Sequence, residues 1–464
     1  MKHLLTLLLI TFTANIYAQS NQHYLYYSLS NFHGEKVILY SIIGGNTIPV
    51  DTTYRQSTGA FVFNNTEKHL PGMYKLVFND TIYTEVIINN EDIVIESDAR
   101  NIIQNMVVKK SLENTILFNY WKYALQIRDS VTRLSIKRDK IEKRTYNSNH
   151  PEIIKINKRI KFFNNEVFYY IERQSKNYPN NFAPKLIKSY IIPTLERYNS
   201  KHPENKYTSE EEFYANHFFD NIDFSDPRFV NTKVLFITIS DYIETFSKPA
   251  STVKYNRVID KVMDHAKENT AIYEYCVNLF IRTFENSIWE DVMVHIIDNY
   301  YLSTNMKNAK KKNYYTKLSN RIKSLKPGVE SPNIIMKDTS NMFQNMHKIK
   351  AKAKMLVFYS SDCPHCIENL PKLVEIYNMY KTQGLEAFGI SIDDDRDLWI
   401  KEIKTLKLNW ISLSDLKGLN SPIIDTYNIT NTPSIIILNK DNIIMTKPKN
   451  IDDIHATLVE LLNQ

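Results

Sequence analysis

Residues 360–371 read SSDCPHCIENLP. The chain holds three cysteines in 464 residues, and two of them, Cys363 and Cys366, share this single helical turn. The preceding run, KMLVFYS (354–360), has the pattern of a buried strand, and Pro364 to Lys381 reads as a helix. A C-x-x-C pair between a buried strand and a helix has a specific chemical use. The first sulfur sits where free backbone N–H groups and the positive end of the helix dipole favour a thiolate. The second, three residues on, can close a disulfide after the first has attacked a partner. Pro364 suits a first helical turn, where its missing N–H is not needed. His365 can place positive charge beside the thiolate.

C-x-x-C is also half of a zinc site. A complete site needs two further ligands, and no second C-x-x-C exists. Cys276 lies far upstream on an apolar helical pattern, AIYEYCVNLFIRTF, and reads as a buried, inert thiol. His347 and His455 form no paired motif, so no metal and no cofactor is expected.

Around the motif, strands and helices alternate. NIIMK (333–337), LEAFGISI (385–392), PSIIILN (433–439) and NIIMTK (442–447) read as strands, the last two as a hairpin. Arg396 to Leu406 and Asp452 to Asn463 read as helices. The alternation predicts an α/β sheet over 327–464, behind a linker at Lys326–Pro332. Asp393, Asp394 and Asp395 follow a strand end; they read as a solvated loop or helix cap, with reach toward the cysteines as the other possibility.

With these residues in place, 328–464 resembles a thioredoxin-fold domain of the TlpA/ResA-like periplasmic group. The resemblance rests on the strand KMLVFYS, the C-P-H-C turn, Pro371 eight residues after Cys363, and Thr432-Pro433 before a strand. It implies a cis bond before Pro433 and a Thr432 backbone open to a partner peptide. Cys363 would attack, Cys366 would resolve, and Pro364, His365, Thr432 and Pro433 would support them. It further implies a thiol–disulfide oxidoreductase acting on protein thiols and disulfides of the cell envelope, with a redox partner protein. The direction implied is reductive or isomerising, although C-P-H-C also occurs in strongly oxidising DsbA-like proteins. Two departures bear on the chemistry. Asp362 stands where many members have Trp, and its charge opposes a thiolate at Cys363. Val357 stands where typical thioredoxins bury a carboxylate.

Upstream, residues 19–105 carry short runs rich in Val, Ile, Tyr and Phe, separated by Asn and Asp turns, which predict an N-terminal all-β sandwich- or barrel-like domain. Residues 106–326 switch to helical spacing. Ile116, Tyr120, Ala124 and Ile127 mark one helix, and Ile156, Ile160, Phe163 and Val167 another. Ser209 with Glu212 and Ser287 with Glu290 match capping boxes. The expectation is thus a multidomain chain with a central all-α domain and a C-terminal α/β thioredoxin fold. The two upstream parts resemble domains that precede exported thioredoxin domains in Gram-negative bacteria.

Residues 1–18 read as a secretion signal, with Lys2, an apolar run from Leu4 to Phe12, and Ala18 at the cleavage position. This predicts export to the periplasm or cell envelope, without a stable transmembrane anchor. Nine glycines in the whole chain leave no phosphate-cradling loop. A net charge of +7 spread over helical segments excludes a nucleic-acid footprint. The competing reading is a non-enzymatic envelope binding or assembly protein that carries an idle thioredoxin-like domain.

Overall fold

The computed structural model describes residues 22–285, 287–303, 309–448 and 450–463. The secretion signal expected at 1–18 lies outside these residues. Contacts divide the chain into two compact units, ending at Cys276 and beginning at Val277.

The first unit opens with eight strands: β1 (Tyr24–Ser30), β2 (Lys36–Ile43), β3 (Asn46–Tyr54), β4 (Ala60–Asn64), β5 (Gly72–Val77), β6 (Tyr83–Ile88), β7 (Ile93–Asp98) and β8 (Val107–Lys110). They form two open sheets, β4-β1-β7-β8 and β3-β2-β5-β6, rather than one closed barrel. Alternate residues of both sheets, among them Leu25, Tyr27, Leu39, Phe61, Leu76 and Ile95, share one core. β3 is a strand that the sequence pattern did not mark. It lies at a sheet edge, most of its residues are exposed, and Pro49 sits at a register shift opposite Tyr40. Proline is tolerated there because an edge strand can spare the N–H.

Helices follow: α1 (Ile102–Asn105), α2 (Leu112–Thr145), α3 (Pro151–Asn177), α4 (Phe182–Ser189), α5 (Leu195–Lys201), α6 (Glu210–His217), α7 (Val234–Phe246), α8 (Thr252–Ala266) and α9 (Thr270–Phe284). Helices α2 and α3 form a long pair, with Ile141, Ile153 and Ile156 buried together near its turn. Glu113 is buried in the first turn of α2, yet it is fully used. Its carboxylate accepts from Asn89, from Asn181 and from the backbone N–H groups of Phe182 and Ala183. The orphan N–H groups that begin α4 are thereby satisfied by a residue 70 positions upstream. Ser209 caps α6 as expected, accepting from the Glu212 N–H at 3.3 Å.

The second unit begins inside α9 and continues with α10 (Glu290–Ile296) and α11 (Ala309–Ser324). Its seven strands are β9 (Ile335–Asp338), β10 (Phe343–Asn345), β11 (Ala353–Tyr359), β12 (Leu385–Ser391), β13 (Ile411–Ser414), β14 (Ser434–Asn439) and β15 (Ile444–Thr446). Its remaining helices are α12 (Pro364–Tyr380), α13 (Arg396–Thr405), α14 (Pro422–Tyr427) and α15 (Ile451–Leu462). The mixed sheet runs β10-β9-β13-β12-β11-β14-β15, with β11 parallel to β12 and antiparallel to β14. Strand β11 is buried at every residue, because both faces of the sheet are covered. Its alternation divides the core. Met355, Val357 and Tyr359 pack with residues of α12 and α15, whereas Leu356 and Phe358 pack with Ile423, Tyr427 and Leu325.

Two expectations at the start of this unit need correction. Helix α10 does not begin at a Ser287 cap. Trp289 precedes it, and the Glu290 carboxylate instead binds Lys447 Nζ at 2.6 Å and Asn428 Nδ2 at 2.8 Å. Nor is 326–332 a free linker. Gly328 and Ser331 donate to the Ile444 and Asn442 carbonyls, Ile444 donates back to Val329, and Leu325 is fully buried. Helices α10 and α11 lie in the same compact unit as the sheet that follows.

Candidate active site

Strand β11 ends at Tyr359, and four residues later Cys363 serves as the N-cap of α12, with Pro364 in the first helical position. The turn is closed by the Cys363 N–H donating to the Ser360 carbonyl at 3.3 Å. The Cys363 carbonyl accepts from the N–H groups of Cys366 (3.0 Å) and Ile367 (3.1 Å). No side chain caps this helix, so its N-terminal N–H groups remain open to the sulfur. Cys363 is partly exposed and Cys366 fully buried, and both thiols are free.

The two sulfurs differ electrostatically. Burial works against the Cys363 thiolate. It is outweighed by hydrogen bonds from Thr432, from the Cys366 thiol and from the backbone N–H groups of Cys366 and His365, which hold its pKa below the usual 9.0. For Cys366 burial prevails and pushes the pKa up to about 11. An ionisable, reachable first sulfur with a protonated, sheltered second one is the asymmetry that nucleophilic attack followed by internal closure requires. Cys276 is buried in α9, and burial raises its pKa to about 12.

The expected supporting residues come together at this point. The Thr432–Pro433 bond is cis, and the Thr432 carbonyl lies 3.4 Å from the Cys363 sulfur. His365 is exposed; what it gives the sulfur is its backbone N–H. Val357 is buried beneath the turn, so no carboxylate occupies that position. Asp362 points outward and accepts from the Ser360 hydroxyl.

The three aspartates after β12 divide into different roles. Asp395 is the N-cap of α13, accepting from the Asp397 and Leu398 N–H groups. Asp394 is exposed. Asp393, expected in a solvated loop, is instead only 6% exposed. It binds the two serines ahead of the cysteine turn. Sequence reasoning missed Ser360 and Ser361, whose only signal was an uncommon pair of small hydroxyl residues between a strand and the motif. Among the described residues no cluster of three or more His, Cys, Asp or Glu could hold a metal ion.

The family profile described as Thioredoxin-like matches residues 351–444. Thiol-disulfide oxidoreductase ResA of Halalkalibacterium halodurans is 26% identical over 113 residues, covering 24% of this chain and 62% of that protein. ResA of Bacillus subtilis is 21% identical over 118 residues, 25% of this chain and 64% of that one. The chain thus spans a little under two thirds of these relatives. Among solved structures, a thioredoxin-like protein from Bacteroides caccae is 18% identical, covering 54% of this chain and 92% of that one at a TM-score of 0.45. A thiol-disulfide oxidoreductase from Bacteroides fragilis is 24% identical over 28% of this chain and 98% of its own, at a TM-score of 0.27. The C-terminal unit of this chain contains a thioredoxin-like domain, similar to that of ResA-type thiol–disulfide oxidoreductases.

Proposed function

We propose that the chain is an exported thiol–disulfide oxidoreductase that exchanges disulfides with proteins of the cell envelope, in the periplasm of a Gram-negative bacterium. The observation that carries the reading is the unequal pair of sulfurs: Cys363 partly exposed with a lowered pKa at a helix N-terminus, and Cys366 buried with a raised one. In the reductive direction the Cys363 thiolate attacks a substrate disulfide. A Cys363–substrate disulfide forms, and one substrate thiolate leaves and takes up a proton. Cys366 then loses its proton to solvent and attacks the Cys363 sulfur. The Cys363–Cys366 bond forms, the second substrate thiol is released, and two electrons have passed to the substrate. Thr432, beside Cys363, offers backbone groups to the bound peptide, and Pro364 and His365 set the turn. A redox partner protein completes the cycle by reducing the bridge. The β-rich and helical parts present or select the partner.

Similarity to ResA proteins and the site geometry support this reading, and among the described residues no helix is long and apolar enough to cross a membrane. The test is reduction of insulin by the full chain and by Cys363→Ser. Loss of turnover in the variant is the expected result. Equal rates would leave the chain as a binding protein with an idle domain.

A further inference from the structure

Asp393 sits where β11 and β12 end, 30 residues beyond Cys363 in sequence. Its carboxylate accepts from the Ser361 N–H at 2.8 Å and from the hydroxyls of Ser361 (2.7 Å) and Ser391 (2.6 Å), and the Ser360 hydroxyl, which donates to Asp362, lies 3.1 Å away. Ser361 and Ser391 are themselves 3% and 0% exposed, so this network has little access to water. The segment it fixes is the one that shapes the redox turn. The Ser360 carbonyl accepts from the Cys363 N–H, and the Ser360 backbone N–H bonds to the Cys366 sulfur. Two β-strand ends are tied at the same point, since the Ile392 N–H donates to the Tyr359 carbonyl at 2.9 Å.

We propose that Asp393 is a positioning residue for the second half of the exchange, holding Ser360 and Ser361 so that Cys366 is aimed at the Cys363 sulfur. The inference rests on the redox function proposed above. It assigns Asp393 no contact with substrate and no proton transfer. The groups that lower the Cys363 pKa are Thr432, the Cys366 thiol and the N–H groups of Cys366 and His365, none of which hydrogen-bonds to Asp393, so the first attack changes less than the closure. Closure by a fully buried thiol needs alignment, and a misplacement near 1 Å costs up to about a hundredfold in such a step. The sign of the effect separates position from charge. A buried carboxylate behind the redox turn can only disfavour a thiolate there, so its removal would, on electrostatics alone, not slow closure. Loss of positioning slows it.

The reduced full chain is mixed with 5,5′-dithiobis(2-nitrobenzoate) and the release of the coloured thiolate is followed. The first equivalent reports attack by Cys363, and the second reports closure by Cys366. Asp393→Asn keeps the shape of the side chain but replaces one acceptor oxygen with a donor. It is expected to leave the first phase within about twofold and to slow the second about tenfold. Ser361→Ala, which keeps the carboxylate, is expected to slow the second phase in the same direction by a smaller factor. It decides the matter alone if the Asp393 variant does not fold. An unchanged or faster second phase in either folded variant overturns the proposal. A wild-type chain that releases no first equivalent from Cys363 overturns the redox reading itself.

Discussion

Alkylation of the three cysteines is expected to follow an order set by their surroundings. Cys363 lies below a pKa of 9.0, Cys366 is near 11 and Cys276 near 12. At pH 8 the thiolate fraction is then at least about a tenth for Cys363, about one in a thousand for Cys366 and about one in ten thousand for Cys276. A less basic thiolate is a poorer nucleophile; at the upper bound of 9.0 for Cys363, a Brønsted slope near 0.45 costs it a factor of about eight against Cys366. The net preference is about tenfold over Cys366 and about fiftyfold over Cys276, before access is counted. Access adds to it, because both of the slower thiols are fully buried. The assay is timed iodoacetamide labelling of the reduced chain between pH 6 and 10, with each cysteine quantified by peptide mass spectrometry. Cys363 should be labelled first, with a pH midpoint below 9. Labelling of Cys366 at an equal or greater rate, or a Cys363 midpoint at or above 9, would refute the claim that the helix N-terminus holds that thiolate.

Two further outcomes concern the frame around the site. Leu325→Ala, in the stretch expected as a linker, should destabilise the C-terminal unit by about 2–5 kcal/mol in urea denaturation, because a fully buried side chain leaves a cavity against Phe358 and Ile436. Leu419→Ala, at 83% exposure, should change stability by less than about 0.5 kcal/mol, and equal silence of both would restore the free linker. In the first unit, burial raises the Asp226 pKa, but hydrogen bonds from Arg228 and Lys185 outweigh it and hold the carboxyl below 3.8. A depressed folded pKa gives stability that is present above the unfolded value and lost as pH falls through the folded one. Asp226→Asn should therefore cost about 2 kcal/mol at pH 7, with the gap to wild type closing below about pH 4; a gap independent of pH would contradict the ion-pair assignment.

The fold was legible wherever burial imposed a simple pattern. Strand β11 reads as apolar throughout because both of its faces are covered, and the Cys363–Pro364 start of α12 follows from what a first helical turn tolerates. The cis Thr432–Pro433 bond came from resemblance and not from any local pattern. Elements whose stability is borrowed from elsewhere were not legible. Strand β3 is an exposed edge paired only to β2, β13 has four residues, and β10 three. The stretch 326–332 carries Pro, Gly and Ser like a linker, yet its backbone pairs with β15. Glu290 looked like one half of a capping box, but its partners Asn428 and Lys447 lie more than 130 residues away. The cysteines announce themselves by spacing. Asp393 does not, because an aspartate after a strand has the same sequence appearance whether it faces water or, as here, the N–H and hydroxyl donors of Ser361 and Ser391.

The account is tested most directly by equilibrating the full chain across a series of reduced and oxidised glutathione ratios and mapping every sulfur by mass spectrometry. The account predicts one reversible two-electron transition, in which a Cys363–Cys366 bridge replaces two thiols while Cys276 stays reduced. A chain in which no such bridge forms at any ratio, or in which Cys276 carries the oxidation, would contradict it.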